Sequence, residues 1–331
     1  MAKQTVLVTG GCGYIGSHVA AHLAADGAEV VVLDNLSTGF RAALTHDETL
    51  YVGDVGDTRL LGEIFARHQI DAILHFAAAL VVPESVADPV KYYTNNTMNT
   101  LRLVDTATKA GIPRLIFSST AAAYGQPERV PVRETDQTKP ESPYGASKLM
   151  SERMLADIAH ATGLRYVILR YFNVAGAQPG GLNGQRTPDA THLIKVACES
   201  AVGKRPGMSI YGTDYPTRDG TCIRDYIHVE DLATAHVMAL RYLTTGGDSA
   251  LLNCGYGRGS TVKEVVQAVK DVSGVDFPVE LAPRRPGDVA AVVASADEIR
   301  QRLGWTPRWD DLRTIVQHAY AWEKQLAAAG R

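Results

Sequence analysis

Cysteine is scarce in this chain of 331 residues: there are four, at positions 12, 198, 222 and 254. No two of them form a CxxC pair, which argues against a zinc site, a dithiol redox motif or a disulfide framework. Free, mostly buried thiols in a reducing compartment are the reading that remains. An excess of positive charge is also missing. The 33 Lys and Arg residues against 36 Asp and Glu leave a net charge of -3, too little to hold a nucleic acid backbone. No apolar run reaches the length of a membrane span. The stretch MAKQTVLVTG passes straight into a strand-like run, without the apolar segment and cleavage site of a secretion signal. There is no internal repeat and no low-complexity tail. These absences predict a cytoplasmic protein that binds neither nucleic acid nor membrane. What is present is an ordinary globular composition, 45% hydrophobic and 21% charged, long enough for one large domain or two.

Short apolar runs alternate with longer stretches of helical period. TVLVTG (5–10), VVVLDN (30–35), LYVGD (50–54), AILHFAA (72–78) and RLIFSST (114–120) read as buried strands, and RYVILRYFN (165–173) as a sixth. Helical stretches fall near 14–26, 58–69 and 91–110. Nearly continuous apolar strands separated by helices predict an α/β fold with a doubly wound parallel sheet. GAQPGGLNGQRTPDA (176–190) is rich in glycine, proline and polar residues and reads as a loop. Residues 1–175 are expected to form a first domain and residues 176–331 mainly a smaller α/β substrate lobe, with some later segments returning to the first domain. In that lobe TVKEVVQAVK (261–270) opens with a Thr-x-x-Glu capping box, a helix start.

The first strand runs into GGCGYIG, which spaces Gly10, Gly13 and Gly16 as GxxGxxG. Glycines there let backbone N–H groups approach a pyrophosphate at the start of the next helix, where the dipole favours anions. Tight turns use the same residues, so the motif draws its weight from its place between a strand and a helix. The next strand ends in Asp34, positioned to accept hydrogen bonds from an adenosine ribose and to repel a 2′-phosphate. No Arg or Lys follows until Arg41. The reading is a Rossmann-type domain that binds NAD rather than NADP. Asp54 closes the third strand, where it either caps the loop or meets the adenine.

SPYGASK (142–148) has the marks of a helix start, with Ser142 to cap, Pro143 to open and Tyr144 in the first turn. Lys148 follows four residues later on the same face. A free phenol has a pKa of about 10 and is a poor base at neutral pH. A nearby ammonium and a helix N-terminus both favour the phenolate, which makes the pair a general base with an electrostatic helper. A YxxxK pair on a surface helix is the plain alternative. The hydroxyls of SST (118–120) lie at the carboxyl end of the fifth strand, where doubly wound folds place their ligands. Glycine turn, acid, hydroxyl and pair together weigh against the plain alternative.

The set GxxGYIG, strand-end hydroxyl and YxxxK resembles the extended short-chain dehydrogenases/reductases. Within them, nearly the whole chain is similar to the UDP-sugar 4-epimerases. The similarity runs through GGCGYIG (10–16), DNLSTG (34–39), PES (83–85), YYTNN (92–96), FSSTAAAYG (117–125), SPYGASK (142–148), RYFNVAGA (170–177), RDYIHVEDLA (224–233) and PRRPGD (283–288). It implies a redox-neutral inversion at C4 of a UDP-hexose through a 4-keto sugar, with NAD bound and regenerated. By the same resemblance Tyr144 is the base, Lys148 holds the nicotinamide ribose and depresses the tyrosine pKa, and Thr120 bonds the reacting oxygen. The matching cofactor positions are Gly10, Gly13, Tyr14, Ile15, Gly16, Asp34, Asn35, Asp54, Val55, Phe76, Ala77, Asn95, Ser118 and Tyr171, besides Tyr144 and Lys148. The matching substrate positions are Phe172, Asn173, His192, Leu193, Ser209, Tyr211, Arg224, Tyr226, Arg285, Asp288 and Val292, besides Thr120 and Tyr144. Arg224 and Arg285 match a diphosphate clamp, for which a planar guanidinium fork is suited; a solvated surface charge is the alternative for each. Tyr211 matches a uracil contact.

Three positions depart from the best-known members. Leu80 stands where some epimerases have a lysine that touches cofactor and substrate. His192 replaces a common asparagine and either bonds the diphosphate or is a satisfied structural histidine. Val292 falls where a large tyrosine restricts the pocket to glucose and galactose. The smaller valine implies room for a 2-acetamido group, hence UDP-N-acetylglucosamine as a further substrate; UDP-pentoses stay open. Dehydratases on this fold follow the strand-end threonine with an Asp-Glu pair, and decarboxylases keep the glutamate. Here Ala121 and Ala122 stand there, and alanine carries no proton. A non-catalytic NAD-sensing regulator would need neither Tyr144, Lys148 nor Thr120. A net oxidoreductase is set aside by the long-range similarity alone. The resemblance also implies a homodimer through the helices near 91–110 and 143–160.

Overall fold

The computed structural model describes residues 4–285 and 287–330, so Met1–Lys3, Pro286 of the PRRPGD stretch and Arg331 lie outside the described residues. The strands in chain order are β1 (Thr5–Thr9), β2 (Glu29–Asp34), β3 (Thr49–Val52), β4 (Ala72–His75), β5 (Arg114–Thr120) and β6 (Arg165–Tyr171). Then come β7 (Asn173–Ala175), β8 (Met208–Tyr211), β9 (Ile223–His228), β10 (Ala250–Cys254), β11 (Gly259–Thr261), β12 (Val279–Ala282) and β13 (Ala291–Val292). The helices are α1 (Tyr14–Ala25), α2 (Thr58–Arg67), α3 (Val82–Ala87), α4 (Pro89–Tyr92), α5 (Asn99–Lys109) and α6 (Pro143–Thr162). They continue with α7 (Leu193–Ala201), α8 (Val229–Thr244), α9 (Val262–Ser273), α10 (Asp297–Leu303) and α11 (Leu312–Ala328).

The main sheet has seven strands in the order β10-β6-β5-β4-β1-β2-β3, all pairs parallel. Successive residues of each strand enter different cores. Val8, Val32, Leu74 and Ile116 pack with α1 and α8 on one face. Leu7, Val31, Ile73 and Leu115 pack with α2, α5 and α6 on the other. Helices on both faces are why these strands read as unbroken apolar runs rather than as alternating ones. The strand order reverses between β1 and β4, and ligands of such sheets bind outside the carboxyl ends near that point. One sheet strand, β10, comes from the second half of the chain, and α8 packs across α1.

One local reading is refined and one corrected. The stretch near 91–110 is helical as expected, but not regular: α4 passes into a π-helical turn at Tyr93–Met98 before α5. The physical reason lies in the Asn96 carbonyl, which accepts from Thr100 Oγ1 at 2.6 Å and Ser151 Oγ at 3.1 Å. Hydroxyls inserted into a helical ladder loosen it, and such bulges cluster at functional sites. The third strand ends at Val52, so Asp54 lies in the loop after it.

The second part builds a small sheet around β9, which pairs with β7, β11 and β13, and a separate ladder of β8 with β12. The Thr261 box forms: Thr261 Oγ1 accepts from Glu264 N at 3.1 Å and the Glu264 carboxylate accepts from Thr261 N at 2.8 Å. Thr261→Ala is expected to lower the unfolding free energy by about 1 kcal/mol, read from urea denaturation; an unchanged midpoint would mean that α9 adds nothing through its cap. Among the described residues no helix is long and apolar enough to cross a membrane, and no group of three or more His, Cys, Asp or Glu could hold a metal ion.

Candidate active site

At the end of β1 the chain turns through Gly10, with φ at 71°. A Cβ at this position would lie 2.6 Å from the Ala77 nitrogen, so only glycine lets the turn touch the loop after β4. A Cβ on Gly16 would lie 2.2 Å from the Gly10 carbonyl oxygen. The start of α1 is thereby pressed against the turn. Gly13 is the N-cap of α1; no side chain caps it, and its first turn holds no acid. Other helix starts are capped by Asp57, Ser142, Thr261 and Asp311. The open start leaves first-turn N–H groups and the positive dipole end for an anion.

Asp34 ends β2 with its carboxylate fixed by the Cys12 N–H at 2.9 Å and the Leu36 N–H at 2.8 Å. Each oxygen keeps a further lone pair for a ribose hydroxyl. Asp54 does cap its loop: it accepts from Gly56 N at 2.8 Å and from Asn99 Nδ2 at 3.0 Å, and meets Asn35 Nδ2 at 3.4 Å. Val55 beside it is buried. The Tyr14 hydroxyl donates to the Gly176 carbonyl at 2.7 Å, tying the glycine turn to the loop after β7. Ile15 packs on the α1 side of the core, and Phe76 lies against the His236 ring at 4.8 Å. Asn95 Nδ2 meets Asn96 Oδ1 at 3.3 Å.

The reactive end lies at the carboxyl ends of β5 and β6. Ser142 Oγ accepts from Gly145 N at 3.3 Å and Pro143 opens α6, so Tyr144 sits in the first turn as the sequence predicts. Its ring meets Tyr92 edge-on at 6.4 Å, and Thr120 at the end of β5 acts on its phenol. Burial pushes the Tyr144 phenol up, and Thr120 pulls it down. Lys148 is 2% exposed and donates from Nζ to the Ser118 carbonyl at 2.9 Å. Burial brings its ammonium down to about 7, opposed by Glu152. The lysine thus aims at the strand end, and the phenol itself responds to burial and to Thr120. Ser118 Oγ pairs with the Tyr171 hydroxyl.

Across the cleft, strand register gathers the other residues. Asn173 stands opposite Tyr226 and Val292 opposite Arg224. Arg224 donates from Nη1 to the Ile223 carbonyl at 2.9 Å, with Nη2 3.7 Å from Asp288 Oδ1. Val292 is buried with Phe172 and Tyr124, and Ala121 packs against them. Tyr211 and Ser209 sit apart on β8, where the Arg285 guanidinium lies 3.7 Å over the Tyr211 ring and lowers its phenol. His192 precedes α7 without capping it and accepts from Gln185 Nε2 on Nδ1 at 3.1 Å. A cleft of about 410 Å³ is lined by Asn173, Gly176, His192, Leu193 and Tyr226 among others. Leu80, in the loop after β4, is half exposed.

Three residues escaped the motif reading. Asn96 pins the loop after β4, accepting from Ala79 N at 2.8 Å and donating to the Ala79 carbonyl and Ser147 Oγ at 3.1 Å each. Glu152 and Arg170 form a buried pair beneath Lys148. The signals were there: a second asparagine in YYTNN, an acid one turn after Lys148, and an arginine inside an apolar strand.

A family model for the NAD-dependent epimerase/dehydratase family matches residues 6–255. The chain belongs to that family. This epimerase/dehydratase relative is 56% identical to the UDP-glucose 4-epimerase of Azospirillum brasilense, over 98% of this chain and 93% of that one. Among solved structures, UDP-glucose 4-epimerase from Brucella ovis in complex with NAD matches with a TM-score of 0.93 at 44% identity, covering 96% of this chain and 98% of that chain. The UDP-Glc/GlcNAc 4-epimerase from Campylobacter jejuni matches with a TM-score of 0.85 at 49% identity, covering 97% and 99%. NAD is the cofactor of this family, and the residues fit it. The flush glycine turn, the uncapped start of α1 and the fixed Asp34 suit a dinucleotide diphosphate with an unsubstituted adenosine ribose.

Proposed function

We propose that this family member is an NAD-dependent 4-epimerase of UDP-hexoses that interconverts UDP-galactose and UDP-glucose without net redox change. The observation that carries the reading is Tyr144 in the first turn of α6 beside the buried Lys148, whose Nζ donates to the Ser118 carbonyl at 2.9 Å, at the ligand edge of the sheet where Thr120 ends β5. NAD, when bound, would supply a reversible acceptor for the hydride of C4. Tyr144 takes the proton of the C4 hydroxyl as that hydride leaves and returns it when the alcohol re-forms. Thr120 bonds the same oxygen and keeps it in line with the phenol. Lys148, anchored on the Ser118 carbonyl, presents its ammonium to the nicotinamide ribose.

Gly10, Gly13 and Gly16 hold the cofactor diphosphate at the start of α1, and Asp34 receives the adenosine ribose. Arg224 and Arg285 clamp the substrate diphosphate, with Asp288 steadying Arg224 at 3.7 Å. Tyr211 and Ser209 meet the uracil. Asn173, Tyr226 and the His192–Leu193 start of α7 line the approach. Ala121 and Ala122 offer no proton for elimination, which supports epimerisation over dehydration. In this reading residues 1–175 with β10 and α8 form the cofactor domain, and the rest mainly the sugar-nucleotide lobe. Val86, Val90, Met98 and Met150, on or beside α3 to α6, are exposed apolar side chains that a homodimer through these helices would cover. The setting is cytoplasmic, with no nucleic acid or membrane partner. Proton NMR with UDP-galactose and no added nicotinamide tests the function: UDP-glucose should appear, and no change even after NAD is supplied would refute it.

Val292 favours a second substrate. It is buried with Phe172 and Tyr124, and it is smaller than the tyrosine that restricts the pocket to glucose and galactose, which favours a 2-acetamido group. Val292→Tyr is expected to cut kcat/KM for UDP-N-acetylglucosamine by about 100-fold, while UDP-galactose stays within a few-fold, because extra side-chain volume rejects the bulkier sugar. Equal losses for both sugars would mean that position 292 does not touch the 2-substituent.

A further inference from the structure

Lys148 lies one helical turn from Glu152 on α6, and both are almost inaccessible, at 2% and 4%. Glu152 is saturated with donors. Its Oε1 accepts from Arg170 Nε at 2.9 Å and from the Ser119 hydroxyl, and its Oε2 accepts from Arg170 Nη2 at 2.5 Å. Strand register sets Arg170 of β6 directly beside Ser119 of β5. The neighbouring residues serve the reaction: Ser118 takes Lys148 on its carbonyl, and Thr120 acts on Tyr144. One carboxylate therefore joins the helix that carries Tyr144 and Lys148 to the two strand ends that receive them. Arg170 has no surface role. It is 3% exposed and stacks 4.7 Å over the Tyr124 ring, whose hydroxyl donates to Asn253 Oδ1 at 2.7 Å.

We propose that Glu152, clamped by Arg170 and Ser119, is a positioning residue that supplies the counter-charge for the Lys148 ammonium and fixes α6 against the end of β5. This rests on the proposed function, in which Lys148 acts as a cation. The groups facing Lys148 leave that task to Glu152. From β5 come the Ser118 carbonyl and the Phe117 ring, 5.0 Å away; from β4 comes His75, which burial keeps neutral at about 3. From β6 the Tyr171 hydroxyl pairs with Ser118 and its ring with His236, and on α6 Tyr144 is a phenol pushed up by burial. Glu152 is the acidic group acting on Lys148, and Arg170 holds its carboxylate in place by bidentate pairing.

The test compares the wild-type holoenzyme with Glu152→Gln, Glu152→Asp and the double variant Glu152→Gln/Arg170→Gln. The pH at which Lys148 Nζ loses its proton is followed by 15N NMR of lysine-labelled protein, beside the pH profile of kcat. Glu152→Gln should move the Lys148 titration and the alkaline limb of kcat down by about one pH unit; the double variant should move them the same way by less, because the Arg170 cation goes with the carboxylate, and Glu152→Asp should restore most of the shift. A single Gln variant leaves Arg170 buried and unpaired, so if it fails to fold the double variant carries the test, since removing both charges of a buried pair is often tolerated. An unchanged Lys148 titration in the folded double variant would overturn the proposal, whatever happens to kcat. The NMR titration needs no substrate. A wild-type protein that turns over no UDP-sugar would therefore sink the functional reading while leaving this one to be judged on its own.

Discussion

Tyr144→Phe is expected to lower kcat by about 1,000-fold, in the range that a positioned acid–base group contributes. The phenyl ring keeps its edge-on contact with Tyr92 at 6.4 Å, so the first turn of α6 should hold its shape. What disappears is one oxygen, acted on by Thr120 and placed to take the C4 proton. No neighbour is fit to replace it. Tyr171 is pushed far above the usual phenol range by burial and is already paired with Ser118. His75 is occupied on both nitrogens, by Thr9 Oγ1 at 2.6 Å and Thr100 Oγ1 at 2.8 Å. The loss should fall on kcat with little change in KM or in bound NAD per protein. A loss below tenfold would mean that another group takes the proton.

Gly10→Ala is expected to strip the protein of its cofactor. At φ 71° an alanine carries a left-handed penalty of about 1–2 kcal/mol. Its methyl would also sit 2.6 Å from the Ala77 nitrogen and 2.9 Å from the Ala77 Cα, both backbone atoms that cannot swing aside. Relief must come from displacing the turn or the loop after β4, and that loop leads to Leu80 and to the Asn96 bridge at Ala79. The nucleotide extracted per protein should fall to a small fraction of the wild-type value, together with the melting temperature. Full NAD content in the variant would show that the turn does not cradle the diphosphate. Gly27→Ala is the control: φ is 87°, but no atom lies within 4 Å of the added Cβ, so strain arises without a clash and the cofactor should stay.

Strands β1, β2, β4, β5 and β6 were legible because each is buried on both faces, which turns core packing into an unbroken apolar run; the edge strand β3 holds no buried residue and was legible from its place in the strand–helix alternation. The glycine turn, Asp34 and the Ser142–Lys148 helix start were legible because each obeys a local backbone rule. What escaped depends on contacts made across the chain. β10, ALLNC, becomes a sheet strand only by pairing with β6, and nothing in its own pattern names that partner. The π turn at Tyr93–Met98 arises because Ser151, on another helix, shares the Asn96 carbonyl with Thr100. Arg170 is a charge inside an apolar strand that the motif reading passed over; its meaning lies in Glu152, on α6, bonded at 2.9 Å. Asp54 was read at a strand end and proved to lie two residues past it, doing the capping that one of its two readings assigned.

The most direct test of the central claim follows the hydrogen on C4. UDP-galactose carrying deuterium at C4 is incubated with the protein in ordinary water, and the product is read by NMR and mass spectrometry. Removal of that hydrogen as hydride and its return within one closed site predicts UDP-glucose that retains deuterium at C4, with none lost to solvent. Deuterium washed out into water would mean that C4 is inverted through a carbanion or by elimination and re-addition, and the account of Tyr144 as a base acting on the hydroxyl would be wrong.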